Sequence, residues 1–346
     1  LKIKGRPPYP AYNDLETSMM SFSRRTGLLA VGAAVLALST AAHAQTREIK
    51  VGYALAPNSH YGAAANAWSA SVEKATNGQF KFRQFPSSAL GGERELIEGL
   101  QLGTVEAAVV SSGTLGNFVP EVGVTDIPFL FRDIKHARAV LDGPIGQELL
   151  GKFKSRNLIA LAWGEQGFRH ITNSKHAINK PEDLKGLKLR TMENPVHITA
   201  FRTLGAAPTP MAWPEVTGAL QQGTIDGQEN PISVITSAKL SAVQKHLALT
   251  GHVYSPAMLL VSPKFWDSLN DSQKAAVLAG AKEGAQAMRQ FVDDIEKKGV
   301  DELRAQGMQV TEVTNKAPFQ QALSPAYTQY ASKFGKELID RIANTR

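Results

Sequence analysis

Strand-like and helix-like segments alternate along residues 45–346, and this alternation confines the chain to an α/β architecture. Ile49 to Tyr53 reads as the first strand. Asn58 or Ser59 caps a helix with Tyr61, Ala65, Trp68, Val72 and Ala75 on one face, and Gly78 stops it. A second strand holds Phe80 and Phe82; Gly91-Gly92 opens a helix bearing Leu96, Ile97 and Leu100; Val105 to Val110 forms a buried strand. Two helices follow Arg132, then a strand at Leu158 to Trp163 and a separate crossing strand at Phe168 to Thr172. Further strands end at Arg190, run from Thr224 to Asn230, and run from Val253 to Val261. Helices run from Asn194-Pro195 to Leu204, from Pro214 through Leu220, and onward from Pro231. Asn270 and Gln273 form a capping box, and helical spacing persists to about Leu303. A last helix is predicted over roughly Pro318 to Ile342. No linker cuts the chain into beads, yet it exceeds a comfortable single core, so two lobes joined by several crossovers fit best.

The N-terminus carries an export pattern. The chain begins at Leu1, the first Met residues are Met19 and Met20, and residues 1–18 read as an upstream extension. Over 19–44, Arg24 and Arg25 precede an apolar run from Gly27 to about Leu38, and Ala42-His43-Ala44 gives a small-x-small cleavage site. Cleavage there leaves 302 residues beginning at Gln45, with a periplasmic destination. The run is short of the roughly 20 residues a membrane-spanning helix needs. Ser23-Arg24-Arg25 leaves Sec and twin-arginine export both open. With no cysteine, thiol catalysis, thiolate metal sites and a lipidated N-terminal cysteine are excluded. Residues 1–44 contribute +3 of the formal +7 charge (five basic, two acidic side chains), which leaves +4 without a like-charge run. Nucleic-acid binding needs a dense basic patch and is unsupported.

Three segments share a grammar in which a strand ends and a helix begins with Pro near its start: Arg190-Thr-Met-Glu-Asn-Pro195, Met211-Ala-Trp-Pro214 and Glu229-Asn-Pro231. Helix N-termini attract anions, and ligands of open α/β sheets gather beyond the C-terminal strand ends. Arg190 lies at such an end and can grip a carboxylate with two parallel hydrogen bonds; pairing with a surface acid is the equal alternative. Arg169 has the same two readings, or serves as a lobe-to-lobe salt bridge. Asn230 reads as a helix cap, Trp213 and Trp163 as core aromatics, and Glu165 as a surface acid. The eight His residues show no metal spacing, and neither a nucleophile elbow nor a phosphate loop is present. No cofactor or metal is called for, although a periplasmic enzyme stays open because triads assemble in space.

The stretch from Gly205 to Pro231, with Asp-Gly-Gln-Glu-Asn-Pro at its end, resembles the signature of TRAP-transporter solute receptors of the DctP type. Asp183-Leu-Lys-Gly-Leu-Lys-Leu-Arg190, Gly167-Phe-Arg-His-Ile-Thr-Asn173 and Gly91-Gly-Glu-Arg-Glu-Leu96 are similar to other family blocks, so the likeness covers residues 47–340. The resemblance implies a two-lobe periplasmic-binding-protein fold with an interlobe cleft and a long helix spanning both lobes. Lobe I is expected over 45–167 plus 256–295 and lobe II over 168–255 plus 296–346. By the same resemblance Arg190 makes the salt bridge to the ligand carboxylate, Arg169 helps hold it, Asn230 hydrogen-bonds the ligand, and Trp213 forms an aromatic wall. Ser111 stands where sialic-acid receptors carry an acidic residue, which argues against sialic acid. His60, Trp163 and Glu165 fall in neighbouring blocks as further ligand-binding candidates. The implied role is a non-enzymatic, monomeric receptor that hands an organic acid anion to the small and large TRAP membrane subunits. A sensor as its partner is the alternative. The polar candidates suit a small hydroxylated monocarboxylate such as a sugar acid or hydroxy acid; a C4-dicarboxylate or an aromatic acid is the runner-up.

Overall fold

The computed structural model describes residues 46–346; the predicted leader and its cleavage site lie outside the described residues. In chain order the elements are β1 (Arg47–Tyr53), α1 (His60–Ala75), β2 (Phe80–Phe85), α2 (Glu93–Leu102), β3 (Ala107–Ser111), α3 (Ser112–Leu115), α4 (Ile134–Asp142), α5 (Pro144–Gly151) and β4 (Ile159–Asn173). There follow β5 (Lys188–Thr191), α6 (Pro195–Thr203), β6 (Ala207–Pro210), α7 (Trp213–Gln222), β7 (Gly227–Pro231), α8 (Ile232–Ser237) and β8 (His246–Val261). The chain closes with α9 (Pro263–Asp267), α10 (Asp271–Ala305), β9 (Gln309–Glu312), α11 (Ala317–Ala322), α12 (Ser324–Phe334) and α13 (Lys336–Ala343). No helix among the described residues is long and apolar enough to cross a membrane.

The strands form one sheet in the order β2-β1-β3-β8-β4-β7-β5-β6, with β9 beside β8. Its organising feature is the antiparallel β4–β8 pair, running from Ile159 opposite Val261 to Asn173 opposite His246. Strand β3 pairs with β8 only through Ala257–Val261, at one end of that pair. Strand β7 pairs with β4 only through Arg169–Asn173, at the other end. Two parallel groups, β1–β3 and β5–β7, thus hang from opposite ends of one long ribbon, and this makes two lobes. The register steps between Glu165 and Gly167, where the ribbon passes from one to the other. Gly167 has φ +109°, a conformation that side chains with a Cβ rarely adopt.

Helix α10 joins the lobes along their outside. Its 35 residues span about 52 Å. Asn270 Oδ1 accepts from Gln273 N, and Gln273 Oε1 accepts from Asn270 N. Close approach to α1 is made by glycines: a Cβ at Gly284 would meet Ala64 O at 2.8 Å and Leu259 Cδ2 at 2.9 Å. Further along, a Cβ on Gly299 would meet Ile232 Cγ2 of α8 at 2.5 Å.

Three expectations change. The strands predicted at Leu158–Trp163 and Phe168–Thr172 are one strand, because β4 steps its register at Gly167 without ending. Strand β8 begins at His246, upstream of the predicted Val253. The last predicted helix is three, since Pro325 lacks an N–H to continue α11 and Gly335 takes φ +82° between α12 and α13.

Candidate functional site

Arg190 and Asn230 lie at the C-terminal ends of the parallel strands β5 and β7, as the sequence grammar requires. Two of the three Pro residues stand in the first turn of their helices, and Pro231 caps α8 from outside. Asn194 caps α6 by accepting from Val196 N and His197 N, so it already satisfies the N–H groups expected to draw an anion there.

Arg190 is 3% exposed. Its Nε and Nη2 both donate to the Met211 carbonyl, at 3.0 and 2.7 Å. That ties one edge of the guanidinium and leaves the Nη1–Nη2 edge for a ligand. The indole of Trp213 lies 5.7 Å from its Cζ, within cation–π range. Burial depresses the guanidinium pKa to about 10, with Arg169 adding to the depression and Glu229 and Glu93 opposing it. The ion is under-compensated and gains from an added carboxylate.

The cavity beside it lies between the lobes, with about 540 Å³ of empty space that includes its open mouth. Leu55, Met192, Met211 and Val234 give it apolar walls. Arg94 and Glu193 meet across it at 3.6 Å. Glu93, in the first turn of α2, lines the side facing Arg190. Its Oε1 accepts from Tyr61 Oη (3.1 Å) and Ser111 N (2.9 Å), and its Oε2 from Thr114 Oγ1 (2.7 Å). Burial raises its carboxyl pKa, and those donors hold the rise back.

The sequence candidates divide. Arg190, Asn230, Trp213 and Ser111 line the cavity. Arg169 is only 1% exposed and stands behind it, where its Nε and Nη2 grip the two Glu229 carboxylate oxygens and its Nη1 reaches Ser255 Oγ at 3.3 Å. Burial alone would push the Glu229 carboxyl up, but Arg169 and His197 hold it well below the usual range. Arg169 thus forms an internal ion pair with Glu229. His60 is buried behind the wall. Glu165, expected at the surface or at the ligand, is fully buried: it accepts from Arg138 at 2.7 and 2.9 Å and from Tyr254 Oη at 2.8 Å. Trp163 points under α5, where its Nε1 donates to Gly146 O at 3.1 Å. Strand alternation puts both on the same face, away from the cleft.

Sequence reasoning missed Glu93, Tyr61, Thr114 and Gln166 as cavity residues. Only Glu93 had a signal, standing just after Gly91-Gly92 at a helix start. Among the described residues no group of three His, Asp or Glu side chains could hold a metal ion.

Two lobes on a shared ribbon, flanking a cavity lined by a buried guanidinium, define a solute-binding protein of the two-lobe class. The chain belongs to the DctP family, bacterial extracellular solute-binding protein family 7, whose model matches residues 51–333. A Bordetella bronchispeptica TRAP periplasmic solute-binding protein, with ligand density interpreted as pantoate, is 60% identical with a TM-score of 0.85, covering 87% of this chain and 100% of that one. A Polaromonas sp. JS666 TRAP periplasmic solute-binding protein bound to D-erythronate is 52% identical with a TM-score of 0.86, covering 87% and 99%. A solute-binding protein of Verminephrobacter eiseniae is 51% identical over 94% of this chain and 97% of its own length.

Proposed function

We propose that this protein is the periplasmic receptor of a TRAP transporter and captures a small hydroxylated monocarboxylate, of the sugar-acid or hydroxy-acid kind. One observation carries the reading: a buried guanidinium with one edge tied to Met211 O faces a cavity whose far wall offers the carboxylate of Glu93. Arg190 takes the ligand carboxylate through its free edge, with Asn230 beside it. Glu93 accepts from a ligand hydroxyl and repels a second carboxylate, which disfavours dicarboxylates. Trp213, Met192 and Met211 cover the carbon chain. The ligands of the Bordetella and Polaromonas relatives are acids of this kind and support the assignment.

Binding draws the lobes, 45–167 plus 256–295 and 168–255 plus 296–346, together about the register step in β4. Closure expels water and strengthens each charge-assisted bond, worth about 1.5–3 kcal/mol. The closed form then docks on the small and large membrane subunits. Before that, the leader is removed near Ala44; N-terminal sequencing of exported protein starting at Gln45 checks the site.

The test is calorimetry with D-erythronate, pantoate, succinate and butanoate. The hydroxylated monocarboxylates should bind at least about tenfold more tightly than succinate or butanoate. Tightest binding of succinate would replace this reading with a dicarboxylate receptor, and turnover of any acid would replace it with an enzyme.

A further inference from the structure

Gln166 stands at the edge of lobe I, where the chain crosses to lobe II. It is the extra residue in the register step between the Glu165–Pro256 and Gly167–Ser255 pairs, where β4 crosses from one lobe to the other. The side chain is 4% exposed and lines the cavity. Its Nε2 donates to Ser111 Oγ at 2.7 Å, Ser255 Oγ at 3.0 Å and Pro256 O at 3.4 Å. A carbonyl only accepts, so the Pro256 contact marks this atom as the nitrogen. Three acceptors use up two N–H hydrogens. The amide oxygen has two lone pairs, and the His60 ring is its side-chain hydrogen-bonding neighbour.

Behind Gln166 stands His60. Its ring is fully buried, edge-on to Tyr61 at 4.8 Å and tilted against Phe291 at 6.2 Å. Neither ring nitrogen has a partner among the described residues. Burial drives its pKa down to about 3, against the effect of the adjacent Gln166, so the ring is neutral and keeps one N–H. A buried imidazole N–H left unpaired is costly, and the Gln166 amide oxygen beside it can relieve that cost with one of its two lone pairs.

We propose that Gln166 is a specificity-determining residue: its Oε1 accepts a hydrogen bond from a ligand hydroxyl, and His60 is the positioning residue that holds the amide in that orientation. The inference rests on the reading that the cleft takes a hydroxylated carboxylate. It adds a second hydroxyl acceptor beside Glu93, so the ligand carries hydroxyls on two different carbons. Because Gln166 sits at the crossing point, hydroxyl recognition bears on the segment about which the lobes close.

The test is calorimetry of D-erythronate and its 2-, 3- and 4-deoxy analogues on wild type, Gln166→Met and His60→Phe, the last retaining the ring packing. Removing a hydroxyl from a site built to bond it costs at least about tenfold. Wild type should show that penalty at two carbons. Gln166→Met should reduce it to below about threefold at one carbon and leave the other, and His60→Phe should shrink the same penalty. A wild type without two such penalties overturns the proposal before any variant is made. An equal loss for all four acids in the variants, or a profile unchanged from wild type, also overturns it. Uniform loss leaves the carboxylate receptor standing, whereas failure of wild type to bind any of these acids removes both.

Discussion

Replacing Arg190 by Met separates the cost of a buried charge from its use. Burial lowers the guanidinium pKa to about 10, a penalty on the charged form of about 3 kcal/mol. The sign follows from the depressed value: below pH 10 the group is charged in both folded and unfolded chains, so at pH 7 the penalty is fully present, and it fades only as pH rises through 10. Methionine fills similar volume without that cost. It also strips the Met211 carbonyl of two donors, worth about 1–3 kcal/mol in the other direction. The terms nearly cancel, so the ligand-free variant should melt within a few degrees of wild type. Binding should behave otherwise. A carboxylate enclosed without its counter-charge loses about 3–5 kcal/mol, or roughly 150- to 5,000-fold in affinity. Scanning calorimetry of the free protein and titration with D-erythronate read the two effects separately. Affinity within about fivefold of wild type would remove Arg190 from the site, and a large drop in melting temperature would make it a structural residue.

Glu229→Gln should destabilise the fold by about 3–5 kcal/mol in urea titrations at pH 7, because Arg169 is left as a buried unpaired charge. The Glu229 carboxyl is held well below its unfolded value, so its contribution is present above about pH 4.5 and is lost as pH falls further. Wild type should therefore lose more stability than Glu229→Gln between pH 5 and pH 3, and parallel curves would contradict the pairing. Gly284→Ala should destabilise by about 1–3 kcal/mol despite the better helix propensity of alanine, since its Cβ meets the Ala64 carbonyl at 2.8 Å. A raised melting temperature would show that α10 does not press on α1 there.

Local physics was legible in the chain. Helix caps such as Asn270 and Asn194, the proline junctions after β5 and β7, and the alternation that fixes an α/β fold depend on residues a few positions apart. Arg190 could be placed at a strand end for the same reason. Contacts between distant segments were not legible. The long β4–β8 ribbon reads as fragments, because its glycines look like breaks until the partner strand holds the register across them.

Arg190 and Arg169 are two strand arginines that no local pattern separates. Glu229, 60 residues beyond Arg169, closes on that guanidinium and neutralises it within the protein. Arg190 finds only a backbone carbonyl and stays short of negative charge. The pattern of a strand running into a Pro-started helix placed Arg190 at the end of a parallel strand and left open whether it would meet a ligand or a surface acid. Folding decided which of the two arginines was neutralised inside the protein, because the energy of a buried charge depends on what lies within a few ångströms of it in space.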